Sequence, residues 1–182
     1  MGDVAIDTER MSLTPLLVAD APEVFRYRTD PEVCRYQSWM PVSVEEVASF
    51  IDGLRSVSFD TPDAWLQLGI RLRDPAALVG DVGIRSPSGM AHQAEIGVTV
   101  APEHQRRGVA TEAVSGVLGY LFGRLGKHRV FASVDPRNRP SVALLERVGM
   151  RREAHFRESL WFKGEWVDDL VFAILESEWR GR

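Results

Sequence analysis

"APEHQRRGVATEAV", residues 101–114, decides how the rest of the chain is read. It follows the apolar run "EIGVTV" and passes through two arginines and a glycine into a long segment of helical period. A helix start presents unpaired N–H groups and about half a unit of positive charge, so it holds an anion without a dedicated side chain. Gly108 lets the backbone bend and approach a ligand closely, and Ala110 keeps the next turn thin. Arg106 and Arg107 add forked donors suited to phosphate oxygens. Taken alone, the Arg-Arg-Gly tripeptide is better explained by a surface turn with two solvated arginines. The order of the neighbouring elements is what favours a polyphosphate site.

Upstream, "RMSLTPLLVADAPEVFRYRTD" reads as a short strand followed by a helix through about Arg28, with Asp20 as N-cap and Pro22 in the first turn. "PVSVEEVASFIDGL" repeats the signal: Ser43 caps, Glu46 lies three residues on, and Val44, Val47, Ala48 and Ile51 share one helical face. "AWLQLGIRL" and "ALVGDVGIRS" are strand-like runs joined by "RDPA", and "QAEIGVTV" supplies a further strand. The helix that opens at Val109 carries Ala113, Val117, Leu118, Leu121 and Phe122 on its apolar side and stops at Gly126. "RVFASV" reads as a buried strand, "RPSVALLERVGM" as a short helix closed by Gly149, and the tail as a hairpin around "KGE". The order is strand, two helices, three strands, helix, strand, helix, two strands, which is an α/β (α+β) mixed sheet with helices on both faces.

Composition narrows the function. The 182 residues fit a single domain over 1–182 that needs no disulfide or metal staple, and Cys34 is the only cysteine. A net charge of −4 gives no global attraction to nucleic acid or anionic membrane, so any anion must be held locally. No run approaches the roughly 20 apolar residues that span a bilayer, and a cytoplasmic setting is expected. His92, His104, His128 and His155 lack metal-ligand spacing, so no metal is expected. No G-x-G-x-x-G follows a strand, and "GRLGKH" lacks the first glycine and the terminal Ser/Thr of a P-loop.

Gln105-Arg106-Arg107-Gly108-Val109-Ala110 resembles the Q/R-x-x-G-x-G/A signature of the GCN5-related N-acetyltransferases (GNAT). The blocks "AEIGVTVAPEHQRRGVATEAV", "HRVFASVDPRNRPSVALLERVGM" and "RESLWFKGEWVDDLVFAIL" look like successive parts of the RimJ/RimL-type branch, across residues 10 to 179. The resemblance implies a mostly antiparallel sheet of about seven strands with about four helices, splayed between the fourth and fifth strands. It implies acetyl-coenzyme A as donor, with its pantetheine arm bonded to backbone at Val98 and Val100 and its pyrophosphate in the turn from Gln105 to Thr111. Asn138 would contact the pantetheine side, and Ser141 would lie near the sulfur. Asn138 in isolation reads as a helix cap.

Acetyl transfer to an amine needs a deprotonated amine, a stabilised oxyanion and a proton for the leaving thiolate. Glu95 is the candidate base, working through water, and a cross-strand ion pair is the equal alternative for it. Many relatives carry a tyrosine acid where this chain has Leu145, which leaves Ser141 as the nearby hydroxyl. Trp39, between the first helices, is assigned to the acceptor pocket. The acceptor is a protein N-terminus or a small-molecule amine on the first reading. An aminoglycoside or polyamine is the second, to which Glu45, Glu46, Asp52 and Asp60 could contribute, although an acidic solvated face explains those four as well. A non-catalytic acetyl-coenzyme A sensor is the third. Monomer and homodimer both remain open.

Overall fold

The computed structural model describes residues 4–59 and 61–181. A single eight-stranded sheet organises them. The first two strands, β1 (Ile6–Asp7) and β2 (Met11–Pro15), lead into α1 (Ala21–Arg28), α2 (Pro31–Cys34) and α3 (Val44–Gly53). β3 (Trp65–Arg73), β4 (Ala76–Arg85) and β5 (Gln93–Val100) form a meander that ends at α4 (Val109–Gly123). β6 (Arg129–Val134), α5 (Arg139–Arg147), β7 (Arg151–Phe162), β8 (Glu165–Leu175) and α6 (Glu176–Arg180) complete the order. The strands lie as β1-β2-β3-β4-β5-β6-β8-β7, and only the β5–β6 pair is parallel.

Local chemistry explains most of these boundaries. Ser43 caps α3 by accepting the Glu46 N–H at 3.2 Å. The Glu46 carboxylate does not close a reciprocal box on Ser43. It reaches back to the Val42 N–H at 2.7 Å and the Trp39 indole at 2.9 Å. Asp20 precedes α1 without a side-chain cap bond there, because its carboxylate accepts from the Leu17 N–H and from Arg71. In the "KGE" turn, Lys163 and Gly164 both take positive φ, the two-residue geometry that matches hairpin twist.

The sheet exceeds the expected seven strands by β1, and α2 and α6 exceed the expected four helices. A two-residue strand and helices of four and five residues are too short to carry a hydrophobic period. β1 exists because Ile6 pairs with Leu13 and is buried against the main core.

That core lies where Leu66, Leu68, Ile70, Val82 and Ile84 of one sheet face meet Ala113, Val117, Leu118 and Leu121 of α4. The other face is covered by α1 and α3, through Val24, Tyr27, Val47 and Ile51. Strand alternation puts the even-numbered residues of β3 under α4 and leaves Trp65, Gln67 and Gly69 on the opposite face. The functional geometry is built on that opposite face and at the β5–β6 junction.

Candidate active site

The Ala101 N–H donates to the Val79 carbonyl at 2.9 Å, which sets the bonding phase of the antiparallel β4–β5 pair. Residues 95, 97 and 99 therefore bond to β4, and Ile96, Val98 and Val100 turn their N–H and C=O groups toward β6. β6 meets them only at Gln93↔Arg129, Ala94↔Val130 and Glu95↔Phe131, and beyond that the two strands part. The expected splay thus lies between the fifth and sixth strands once β1 is counted. The main chain of Val98 faces the opening, and the Val100 carbonyl accepts from Gln105 Nε2 at 3.0 Å.

The turn that follows is bent by two left-handed residues, Arg106 at φ 57° and Gly108 at φ 79°. A side chain at Gly108 would be strained by that φ, and its β-carbon would sit 3.2 Å from the Arg10 guanidinium. Arg106 and Arg107 are exposed, and Val109, Ala110 and Thr111 form the first turn of α4. Arg10 donates to the Arg107 carbonyl at 3.1 Å and to Glu112 at 2.6 Å. Glu112 also accepts from Thr8 Oγ1 at 2.6 Å and from the Arg10 N–H at 2.8 Å. Burial raises the Glu112 pKa, but the Thr8 and Arg10 donors outweigh it and hold the carboxyl below its usual value. This carboxylate straps the β1–β2 turn to the start of α4, a brace invisible in sequence because the partners lie about a hundred residues apart. Helix N–H groups, a glycine with no β-carbon and two exposed guanidinium groups fit a pyrophosphate.

On the far side of the opening, Asn138 caps α5 by accepting the Ser141 N–H at 3.3 Å. Ser141 and the buried Leu145 both line a cavity of about 520 Å³ that also reaches Glu95, Val98 and Trp39. The cavity passes through the splay: Val114 of α4 and Leu144 of α5 border it on one side of the sheet, Trp65 and Phe50 on the other.

Three cross-strand rows floor the half under α1 and α3. Trp65, Arg85 and Glu95 form the first row, Gln67, Gly83 and Gly97 the second, and Gly69, Asp81 and Thr99 the third. In the first row Arg85 donates to Glu95 through Nε at 2.9 Å and again through Nη2, so the cross-strand ion pair is present. Both bonds go to Oε2, leaving Oε1 open to the cavity. In the third row the buried Asp81 accepts from Tyr27 and Arg28, each at 2.5 Å. Burial, reinforced by Asp81, pushes the Tyr27 phenol well above its ordinary range.

Trp39 is fixed from three directions: the indole N–H bonds Glu46, the ring lies 4.5 Å from Phe50, and Arg28 sits 5.4 Å over its face. Glu45, Glu46 and Asp52 do not line the cavity, and Asp60 lies outside the described residues. The carboxylates that do line it are Asp81, Glu95, Asp135, Asp168 and Asp169. Asp81, Glu95 and Asp135 each pair with an arginine, and Asp168 pairs with His155 at 2.6 Å. Asp169 bonds Ser133 Oγ at 2.5 Å and faces no cation among the described residues. Sequence reasoning missed this set because the residues come from strands far apart in the chain.

Among the described residues no group of three His, Cys, Asp or Glu side chains is arranged to hold a metal, and no helix is long and apolar enough to cross a membrane. The family model described as Acetyltransferase (GNAT) domain matches residues 10–151. The chain is 30% identical over 174 residues to an uncharacterized N-acetyltransferase, YnaD, of Bacillus subtilis, covering 96% of this chain and 98% of that one. It is 30% identical over 105 residues to a spermidine N(1)-acetyltransferase of Vibrio cholerae, covering 58% and 61%. Its fold superposes on the crystal structure of an acetyltransferase (GNAT family) from Bacillus anthracis with a TM-score of 0.87 and 28% identity, over 96% of this chain and 100% of that one.

Proposed function

The chain belongs to the GNAT acetyltransferase family, and from that premise we propose that it moves an acetyl group from acetyl-coenzyme A directly to a primary amine while both are bound. The acceptor on this reading is a protein N-terminal α-amino group or a small-molecule amine, as in the RimJ/RimL-type branch. The supporting observation is one cavity that opens onto the splay and onto the far face of the sheet at once, so donor and acceptor can meet without a covalent enzyme intermediate.

The donor, when bound, supplies an acetyl thioester. The main chain at Val98 and Val100 would hold its arm, Gln105 to Thr111 its pyrophosphate, and Asn138 with Ser141 the end near the sulfur. Glu95 is suited to take a proton from the amine through water: Arg85 occupies one carboxylate oxygen and the other is open. Trp39, held rigid, would wall the acceptor side. Leu145 offers no proton, so Ser141 is the hydroxyl at hand for the leaving sulfur.

A polyamine acceptor is the second reading, favoured by Asp169, a carboxylate in the cavity wall that faces no cation among the described residues. The test is coenzyme A release from acetyl-coenzyme A across an alanine-initiated peptide, spermidine and an aminoglycoside. Turnover on the peptide alone supports a protein N-terminus as acceptor, turnover on spermidine alone the polyamine reading, and turnover on the aminoglycoside alone a small-molecule amine of another kind. Donor binding without turnover on any amine would make the chain a sensor.

A further inference from the structure

Gln67 is the side chain that the proposed reaction has not used, and its surroundings are unusual. Its Oε1 is the one buried side-chain oxygen or nitrogen without a hydrogen-bond partner among the described residues. Oε1 is the enclosed end, but no side-chain bond engages Nε2 either, so a half-turn of the carboxamide brings the oxygen to the cavity without breaking a hydrogen bond. A buried amide left unmet costs stability, and native proteins tolerate few such groups without a use for them.

The neighbours show what the use would be. Gln67 stands in the row whose other members, Gly83 and Gly97, carry no side chain; the Trp65 and Gln67 side chains cover Gly83, and the row is open above Gly97. A β-carbon at Gly83 would come within 2.9 Å of the Trp65 ring and within 3.0 Å and 3.2 Å of the two ends of the Gln67 carboxamide. The two glycines therefore let Trp65 and Gln67 lie flat on the sheet and leave a shelf leading toward the splay. Either side of the shelf, the charges are already matched, Arg85 with Glu95 and Arg28 with Asp81. The shelf itself offers one unspent polar group, a neutral one.

We propose that Gln67 is an acceptor-binding residue: its carboxamide oxygen takes one N–H of the neutral acceptor amine on the Gly83–Gly97 shelf. This deepens the acetyltransferase reading and rests on it. A neutral primary amine has two N–H groups and one lone pair. With one N–H on Gln67 and the second directed through water to the open oxygen of Glu95, the lone pair is left for the acetyl carbon. The new N–C bond forms as the C–S bond breaks, and the proton given up by nitrogen passes through Glu95 toward the departing sulfur. A secondary amine lacks the second N–H, so the shelf selects primary amines.

The test uses whichever of an alanine-initiated peptide or spermidine the full-length wild-type protein turns over, together with its N-methylated analogue. Gln67→Leu is expected to raise the acceptor KM about tenfold, the scale of one hydrogen bond, and to narrow the preference for the primary amine. The acetyl-coenzyme A KM stays the same, and the Tm holds or rises because an unmet buried acceptor has been removed. Gln67→Glu keeps an accepting oxygen and restores most of the acceptor affinity. An unchanged acceptor KM in Gln67→Leu overturns the assignment, as does a lowered Tm with equal losses for both substrates, the mark of a packing role. Absence of turnover by the wild type on every amine defeats the acetyltransferase reading itself, and the two failures are thereby distinct.

Discussion

The two halves of the cavity are made of different material. The half that fits the donor is mostly main chain: the bared edge of β5, the left-handed turn through Gly108 and the first N–H groups of α4. The half under α1 and α3 is made of side chains from widely separated strands and helices: Trp39, Trp65, Gln67, and the Arg28–Asp81 and Arg85–Glu95 pairs. Main-chain sites need a backbone shape, which a short run of residues can dictate. Side-chain sites need partners that only the folded sheet brings together.

Four substitutions press on that contrast. The largest effect is expected for Glu95→Gln, which removes the proposed base: kcat should fall about a hundredfold or more, and the rise of rate with pH should flatten. A pH–rate profile identical to wild type, measured by coenzyme A release, would reject the role. Gly108→Val comes next. It forces a β-branched residue into φ 79° and a β-carbon toward Arg10, so acetyl-coenzyme A affinity should drop by about two orders of magnitude in a calorimetric titration, with the circular dichroism spectrum unchanged. Ser141→Ala should lower kcat about tenfold and leave the donor Kd near wild type, since the cap to its N–H comes from Asn138 and survives. An unchanged turnover number removes Ser141 from the chemistry.

Glu112→Gln is the mildest of the four. It weakens the strap onto the turn proposed to hold pyrophosphate, and donor Kd should rise by about threefold. The folded Glu112 carboxyl titrates below its unfolded value of 4.5, so its stabilisation is present above that pH and is lost as pH falls through the lower folded value. The Tm deficit of Glu112→Gln should therefore be visible at pH 7 and shrink as the pH is taken below 4.5. A deficit that persists in acid would mean that packing, not charge, holds the strap.

Legibility in the sequence follows the same division. The glycine after two arginines, the apolar strand before it and the helical period after it lie in one continuous stretch, and they gave the donor side its outline. The hairpin and the capped start of α3 were also local, as Lys163-Gly164 and Ser43 show. By contrast Gln67, Gly83 and Gly97 share a row only because of strand register, and no property of the three segments taken singly announces it. Glu95 is a candidate from its strand alone, but that Arg85 takes only one of its oxygens is a property of the fold. Glu45, Glu46 and Asp52 stand out in the sequence by charge alone, and none of them lines the cavity. Glu46 is engaged elsewhere, positioning Trp39.

A binding edge made of main chain has a further property: it cannot be deleted by changing a side chain. At Val98 every substitution but proline keeps the same N–H and C=O aimed into the gap between β5 and β6. The group that answers is the amide hydrogen itself. In the free protein it should trade with deuterated solvent at the pace of a sheet edge, and with donor bound it should slow to the pace of an interior strand. Isotope exchange at this one position would register occupancy of the cleft whatever amine, if any, lay on the other side of the sheet.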